Sequence, residues 1–195
     1  LDSATAYVGW TNNREGITET LVDVDAELNL IPKLATEWKN VDDKTWKIKL
    51  RDGVTFHNGK PMDGAAVKAS PEYSIETNVR AQAQLPVESI TAEGQEVTIA
   101  TSKPVAALPS VLADPMMGIQ ALGEGIDPAK DPQGTGPFSV TEFVPKQKLE
   151  LDAHKGYWGG EPKLKHLTWR SYADSQAMAL AMQSGEIQLA VQPDA

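Results

Sequence analysis

The stretch WKIKLRDGVTFHNGKPMDGAAVK, residues 46–68, decides the fold class. Apolar and polar side chains alternate from Thr45 to Leu50, which predicts a half-buried strand. Residues 51–53 (Arg-Asp-Gly) predict a turn, residues 54–56 a second strand, and Asn58-Gly59 a further tight turn. This part of the chain therefore reads as a framework hairpin, with His57 as part of its turn.

Two helices are predicted to follow the hairpin. Asp63 suits the N-cap of a helix over residues 64–69. Ser70-Pro71 restarts a helix that should run to about Arg80, with serine as the cap and proline in the first turn. Hairpins mixed with separated helices indicate a mixed α/β (α+β) fold rather than a doubly wound sheet.

The remaining segments extend the pattern in both directions. Apolar side chains at helical spacing predict a helix from about residue 13 to 22. Asp174 should cap the last helix and Gly185 should end it, with Leu180 and Ala181 on its packing face. Alternation predicts four further strands, at residues 96–101, 138–140, 148–151 and 167–172.

The composition limits the classes of function. The 195 residues carry a formal charge of −9, which argues against nucleic-acid binding because a phosphate-binding surface needs clustered Lys and Arg. Cysteine is absent, which excludes disulfides, thiolate metal sites and cysteine nucleophiles. No apolar run approaches the roughly 20 residues of a membrane span. The opening Leu1-Asp2-Ser3 lacks an initiator Met, so we expect a piece of a longer protein whose export signal has been removed.

Catalytic and metal-binding patterns are weak. His57, His154 and His166 do not show metal-ligand spacing and are read as turn or strand-edge residues. Gly134-Thr135-Gly136-Pro137 is followed by β-forming residues instead of a helix, so it predicts a structural turn and not a phosphate loop. A hydrolase built on acidic residues stays a remote alternative, since a linear sequence cannot show two carboxylates meeting across a cleft. We predict a non-enzyme without a bound metal or cofactor.

Trp10 is the most suggestive of the five tryptophans. It lies in the turn-like segment from Tyr7 to Arg14, just before the expected helix at residue 13. Aromatic and arginine side chains on a loop at a helix start suit recognition of a small polar or charged ligand. Burial in the core or in a seam is the alternative for any indole.

Several motifs taken together resemble the extracellular solute-binding proteins of family 5, the peptide/nickel class that serves ABC importers. The likeness runs from end to end of the chain. Residues 9–21 with Ala113-Asp114-Pro115 are most similar to the nickel or metal-chelate branch. The scaffold motifs are ETLV (19–22), PKLATEW (32–38), TWKIKLRDGVTFHNG (45–59), GTGPF (134–138), YWGG (157–160) and QSGEI (183–187).

The resemblance implies a periplasmic-binding-protein-like class II fold, in which two lobes joined by a hinge close on a ligand. Family members are at least twice as long, so residues 1–195 are expected to form the N-terminal lobe only, with the second lobe absent. Residues of about 1–40 and 160–195 would form the core-lobe segments, and about 41–159 the framework hairpin and an inserted subdomain. The chain should cross towards the second lobe near residues 190–193.

The resemblance also implies ligand contacts from three regions of this chain. They are the segment before the first helix, the end of the helix after the hairpin, and the segment after the next strand. Some nickel-type relatives have an arginine in the last region, where this chain has two methionines that cannot form a bidentate contact with a carboxylate. Arg80 or Arg14 would then take that role, or the ligand differs, and the methionines could equally be packing residues. The candidate residues are Tyr7, Trp10, Thr11, Arg14, Arg80, Met116 and Met117.

The expected function is that of a substrate-binding component of an ABC importer. Its ligand would be a small chelated metal of the nickel type, and a di- or oligopeptide is the alternative. The partners would be this small-molecule ligand and the permease and ATPase of the importer, with the binding protein itself a monomer. We expect a periplasmic protein, or an extracellular lipoprotein anchored to the membrane.

Overall fold

The computed structural model describes residues 1–5 and 7–191. Within this part, helices alternate with three antiparallel sheets, which confirms the mixed α/β fold class. The helices are α1 (Val8–Arg14), α2 (Gly64–Thr77), α3 (Val79–Gln84), α4 (Leu108–Val111) and α5 (Ser175–Ser184), with a 3-10 helix at Pro115–Met117. The strands are β1 (Val22–Val24), β2 (Leu30–Pro32), β3 (Ala35–Asp42), β4 (Thr45–Leu50), β5 (Val87–Glu93), β6 (Glu96–Thr101), β7 (Phe138–Val144), β8 (Lys148–Ala153) and β9 (His166–Arg170).

The framework stretch forms the centre of the largest sheet, whose order is β3-β4-β6-β5. The alternation in β4 is confirmed, because Trp46, Ile48 and Leu50 are buried while the lysines between them are exposed. The strand predicted at residues 54–56 is wrong, since Thr55 makes only an isolated bridge to Pro61. Both edges of β4 are already paired with β3 and β6, so no edge is left for the following segment.

Helix α2 runs without a break through Pro71, although the sequence predicts that a new helix begins there. Asp63 caps it as predicted, with Oδ1 accepting a 2.9 Å hydrogen bond from the backbone of Ala66. Pro71 lies inside the helix. The hydroxyls of Ser70 and Ser74 on either side donate to the carbonyls of Gln120 and Met116. These tertiary hydrogen bonds help hold the backbone helical across a residue that lacks an N–H.

The helix predicted from residue 13 to 22 is wrong. Helix α1 ends at Arg14, and Gly16 follows with a φ of +75°. Residues 17–21 then run through the core with no more than 3% exposure, and Glu19 makes an antiparallel bridge to Ile119. A segment buried on all sides has no solvent-exposed face, so its spacing of apolar residues could not separate helix from extended chain.

The C-terminal part consists of the β7-β8-β9 sheet and α5. Asp174 caps α5 as predicted, and Gly185 ends it in the left-handed region with a φ of +77°. The predicted packing face is only partly correct, because Ala181 is buried while Leu180 is 60% exposed.

A large hydrophobic core lies between the four-stranded sheet, α2 and the 3-10 helix, and a smaller cluster lies on the β7-β8-β9 sheet. Strand β3 crosses the boundary expected near residue 40, and β9 pairs with β8 across the one expected near residue 160. The domain division remains a prediction, and residues 192–195 at the expected crossing lie outside the described residues. Within the described ranges, none of the helices has the length and apolar character of a membrane span.

Candidate functional site

The four candidate residues near the N-terminus share one face of α1. Tyr7 is the N-cap, and Trp10, Thr11 and Arg14 follow at spacings that place helical side chains side by side. Tyr7 is 77% exposed and Trp10 51% exposed. The sequence pattern predicts a turn before a helix at these residues, but the structure places them at the N-cap and within the helix. They form an outward surface that carries two aromatic rings and a guanidinium.

The opposite face of α1 is fixed to the core. A Cβ on Gly9 would lie 2.5 Å from the carbonyl oxygen of Pro115 and 2.7 Å from that of Ser3, so only glycine permits this approach. Asn12 is fully buried, and its Nδ2 donates a 2.8 Å hydrogen bond to Ser3 Oγ. The outward face of α1 is therefore held in a defined orientation by the residues beneath it.

Arg80 lies at the start of α3 and forms an ion pair with Asp114. The guanidinium Nη2 donates to Asp114 Oδ2 at 2.9 Å, with the arginine side chain 50% exposed and the aspartate 12% exposed. Asn78 caps α3 by accepting from the backbone of Arg80, and its Nδ2 donates to the carbonyl of Ala4. The second bond ties the N-cap of α3 to Ala4, which precedes α1 in the chain. The sequence offered no signal for the pairing with Asp114.

Met116 and Met117 are buried, with exposures of 1% and 2%. They belong to the 3-10 helix and to the main hydrophobic core. This position favours the interpretation of both methionines as packing residues. Neither thioether belongs to the exposed surface.

Thr11 and Arg14 also line a groove of about 900 Å³ between α1, the β7-β8-β9 sheet and α5. The Arg14 guanidinium carbon lies 5.8 Å from the ring centre of Trp169, within the range of a cation–π contact. Glu15 lines the same groove with 6% exposure. Burial raises the pKa of its carboxyl to about 7, against the opposing effect of Arg14. Sequence reasoning found neither Glu15 nor Trp169 as part of this surface.

Two of the three histidines, His57 and His154, make contacts that support the fold. The rings of His57 and His154 meet edge to face with centres 5.1 Å apart, and His57 Nε2 donates to the carbonyl of Gly136 at 3.0 Å. Burial lowers the pKa of His57 to about 4 and also lowers that of His154. In the described part of the chain, no group of three or more His, Asp or Glu side chains is placed to share a metal ion.

Four of the six scaffold motifs meet at the buried carboxylate of Glu19. It accepts hydrogen bonds from Thr135 Oγ1 at 3.0 Å, Tyr157 OH at 2.9 Å and Trp158 Nε1 at 2.8 Å. The ammonium of Lys33 lies 3.6 Å from the same group. These four motifs therefore form one polar cluster inside the scaffold, and the sequence showed each of them without showing their meeting point.

An anchored helix that presents aromatic and cationic side chains to solvent is suited to hold a small ligand. Comparison with known proteins identifies the class of protein to which the chain belongs. The family model described as "Bacterial extracellular solute-binding proteins, family 5 Middle" matches residues 29–195. The chain belongs to this family, which confirms the resemblance seen in the motifs. The description is one of solute binding, in agreement with the prediction of a non-enzyme.

Individual relatives include nickel-binding and glutathione-binding proteins. The nickel-binding protein NikA of Staphylococcus aureus is 34% identical over 153 residues, covering 78% of this chain and 31% of that protein. The glutathione-binding protein GsiB of Escherichia coli is 31% identical over 187 residues, covering 87% of this chain and 35% of that protein.

Solved structures give the same assignment. A nickel ABC transporter protein from Bacillus halodurans superposes with a TM-score of 0.90 at 40% identity, covering 95% of this chain and 39% of that one. The S. aureus NikA complex with Ni(L-His)2 superposes with a TM-score of 0.85 at 32% identity, covering 88% and 37%. This chain thus spans about a third of the length of its curated relatives.

Proposed function

We propose that the protein containing this chain is the substrate-binding component of an ABC importer that captures a small chelated metal of the nickel type outside the cytoplasm. This chain would supply one wall of the ligand cleft. A second lobe would close over it by hinge motion, and the loaded protein would deliver its cargo to the permease while the partner ATPase supplies the energy.

The observation that carries the proposal is the outward face of α1. Tyr7 and Trp10 are exposed although large aromatic side chains gain free energy from burial, and the helix beneath them is fixed to the core. Exposed aromatic rings on a rigid support are suited to stack on a ligand when a cleft closes. Arg80 and Arg14 would add charge pairing, which strengthens once closure removes water.

The nickel-type ligand is supported by the identities to nickel-binding relatives, 34% with S. aureus NikA and 40% with the B. halodurans protein. A glutathione-like peptide is the second candidate, because GsiB is 31% identical over a larger share of the chain. We further propose a monomer that is periplasmic or held at the outer face of the membrane by a lipid anchor.

Thermal unfolding of the full-length protein with Ni(L-His)2, glutathione and a short peptide separates these functions. A ligand at 100 times its Kd adds about 2.7 kcal/mol to the free energy of unfolding, so the true cargo should raise Tm clearly. We expect the largest increase with Ni(L-His)2. An increase with glutathione or the peptide alone would establish the second candidate, and turnover of any of these compounds would contradict both.

A further inference from the structure

In the ion pair between Arg80 and Asp114, the scaffold holds the aspartate, while the arginine side chain is partly exposed to solvent. Asp114 Oδ1 accepts from the backbone N–H of Met116 at 3.1 Å and so caps the 3-10 helix, while Oδ2 accepts from Arg80. The aspartate is largely buried, whereas half of the arginine side chain remains exposed. The negative charge is therefore part of the scaffold, and the positive charge faces the surface.

This arrangement changes how Arg80 can act on a ligand. The bond to Asp114 uses one of the several N–H donors of a guanidinium, so others remain for a ligand carboxylate. The charge of Arg80 is largely balanced by Asp114 before any ligand arrives. A ligand anion that approaches Arg80 therefore also approaches the aspartate.

The effect of this balance depends on the charge of the ligand. A neutral chelate meets a nearly neutral pair, accepts hydrogen bonds from Arg80 and is little affected by Asp114. A dianionic chelate gains from Arg80 but is repelled by Asp114, and this repulsion grows as closure lowers the local dielectric constant. The pair should thus discriminate between chelates of similar size and different charge.

We infer that Asp114 is a specificity-determining residue of the ligand site, which balances the charge of Arg80 and selects neutral or zwitterionic amino-acid chelates against polycarboxylate chelates. This inference rests on the proposed function. It names the ligand class that the proposed nickel site would accept.

The test uses full-length protein and two probes, neutral Ni(L-His)2 and dianionic Ni(II)–EDTA, with Kd measured by calorimetry. Asp114→Asn removes the charge but keeps a side-chain oxygen that can cap the 3-10 helix. We expect the variant to bind Ni(II)–EDTA about tenfold more tightly than wild type, while the Kd for Ni(L-His)2 changes by less than about threefold. The gain with the dianion should shrink as salt concentration rises.

Asp63→Asn is the matched control. Asp63 also caps a helix through its side chain, and it lies at the far end of α2 from Arg80, roughly 20 Å along the helix axis. This variant has the same change in net charge and should leave both Kd values at wild-type levels.

The outcomes separate the two proposals. If wild type binds neither chelate, the proposed nickel function is wrong. If wild type binds Ni(L-His)2 but Asp114→Asn shifts both Kd values equally, or shifts neither, the function stands and the inference about Asp114 is overturned. An equal effect of Asp63→Asn on the dianion would also overturn it, because net charge alone would then explain the change.

Discussion

The indole Nε1 of Trp158 donates a 2.8 Å hydrogen bond to the carboxylate of Glu19, which lies 139 residues earlier in the chain. Tyr157 donates to the other oxygen of the same carboxylate, and burial together with this contact raises the pKa of its phenol above the ordinary range. The guanidinium carbon of Arg51 lies 4.2 Å from the ring centre of Trp158. One buried anion thus ties the start of the chain to the loop that follows β8.

Replacing Glu19 with alanine should destabilise the protein strongly. Three buried or half-buried donors would lose their acceptor, and each unsatisfied donor costs about 1–3 kcal/mol. We expect a loss of about 3–5 kcal/mol in urea unfolding of the full-length protein. Glu37→Ala is the control, because its contact with Lys49 is solvent-exposed and should contribute less than about 1 kcal/mol. Equal losses for both variants would contradict the role given to Glu19.

Replacing Gly134 with alanine should prevent correct folding. A Cβ at this position would lie 1.9 Å from the carbonyl oxygen of Ile17, a distance that backbone atoms cannot relieve by a small shift. We expect loss of soluble, folded protein, measured by yield and circular dichroism. Gly156→Ala is the control, since its nearest contact would be 3.4 Å from the ring of His154. A folded Gly134→Ala protein with wild-type Tm would disprove the close approach.

Replacing Trp10 with alanine should weaken ligand binding without weakening the fold. The indole is half exposed, so its removal leaves the core intact, while a stacking contact to a bound ligand would be lost. We expect Kd to rise about tenfold or more in calorimetry with the identified ligand, and Tm to stay near that of wild type. Val41→Ala removes an equally exposed apolar side chain from β3 and should change neither quantity. Unaltered affinity of Trp10→Ala would remove α1 from the ligand site.

His57 should make the fold sensitive to acid. Its pKa in the folded state is about 4, below the ordinary value near 6.5, so the unfolded chain takes up the proton first as pH falls. The neutral form supports the fold above pH 6.5, and this contribution is lost between about pH 6.5 and 4. From pH 7 to pH 5, wild type should lose about 2 kcal/mol more than His57→Gln in urea unfolding.

His166 provides a control of opposite sign. Hydrogen bonds to Asp152 and Glu150 raise its pKa, so its contribution is present at low pH and is lost as pH rises through the folded-state pKa. Relative to wild type, the free energy of unfolding of His166→Gln should therefore be reduced more at pH 5 than at pH 8. The interpretation of His57 fails if His57→Gln and wild type respond identically to acid.

Local signals in the sequence predicted the parts of the fold that depend on local chemistry. The alternation in β4 and the caps Asp63, Asp174 and Gly185 act within a few residues, and the structure confirms each of them. The helix expected at residues 13–22 failed because the segment after Gly16 is buried on every side. The break expected before Pro71 failed because distant carbonyls hold both flanking serines.

The candidate ligand surface was also predicted only in part, because some of the contacts around it join residues that are far apart in the chain. Tyr7 and Trp10 are exposed on one helix face, which agrees with the interpretation of Trp10 as a recognition residue, although ligand contact remains a prediction. The partner of Arg80 is 34 residues away and the three hydrogen-bond donors to Glu19 are more than 100 residues away, so neither pairing has a local signature. Contacts of this kind follow from topology, which the sequence pattern alone does not specify.

The contact between Gly9 and Pro115 leaves no clearance for sliding between α1 and the 3-10 helix. The aromatic rings, and the aspartate that holds Arg80, are consequently parts of one rigid body, whose spacing is set by this backbone contact. Within such a body, the exchange of one side chain changes the exposed surface without shifting the helices beneath it.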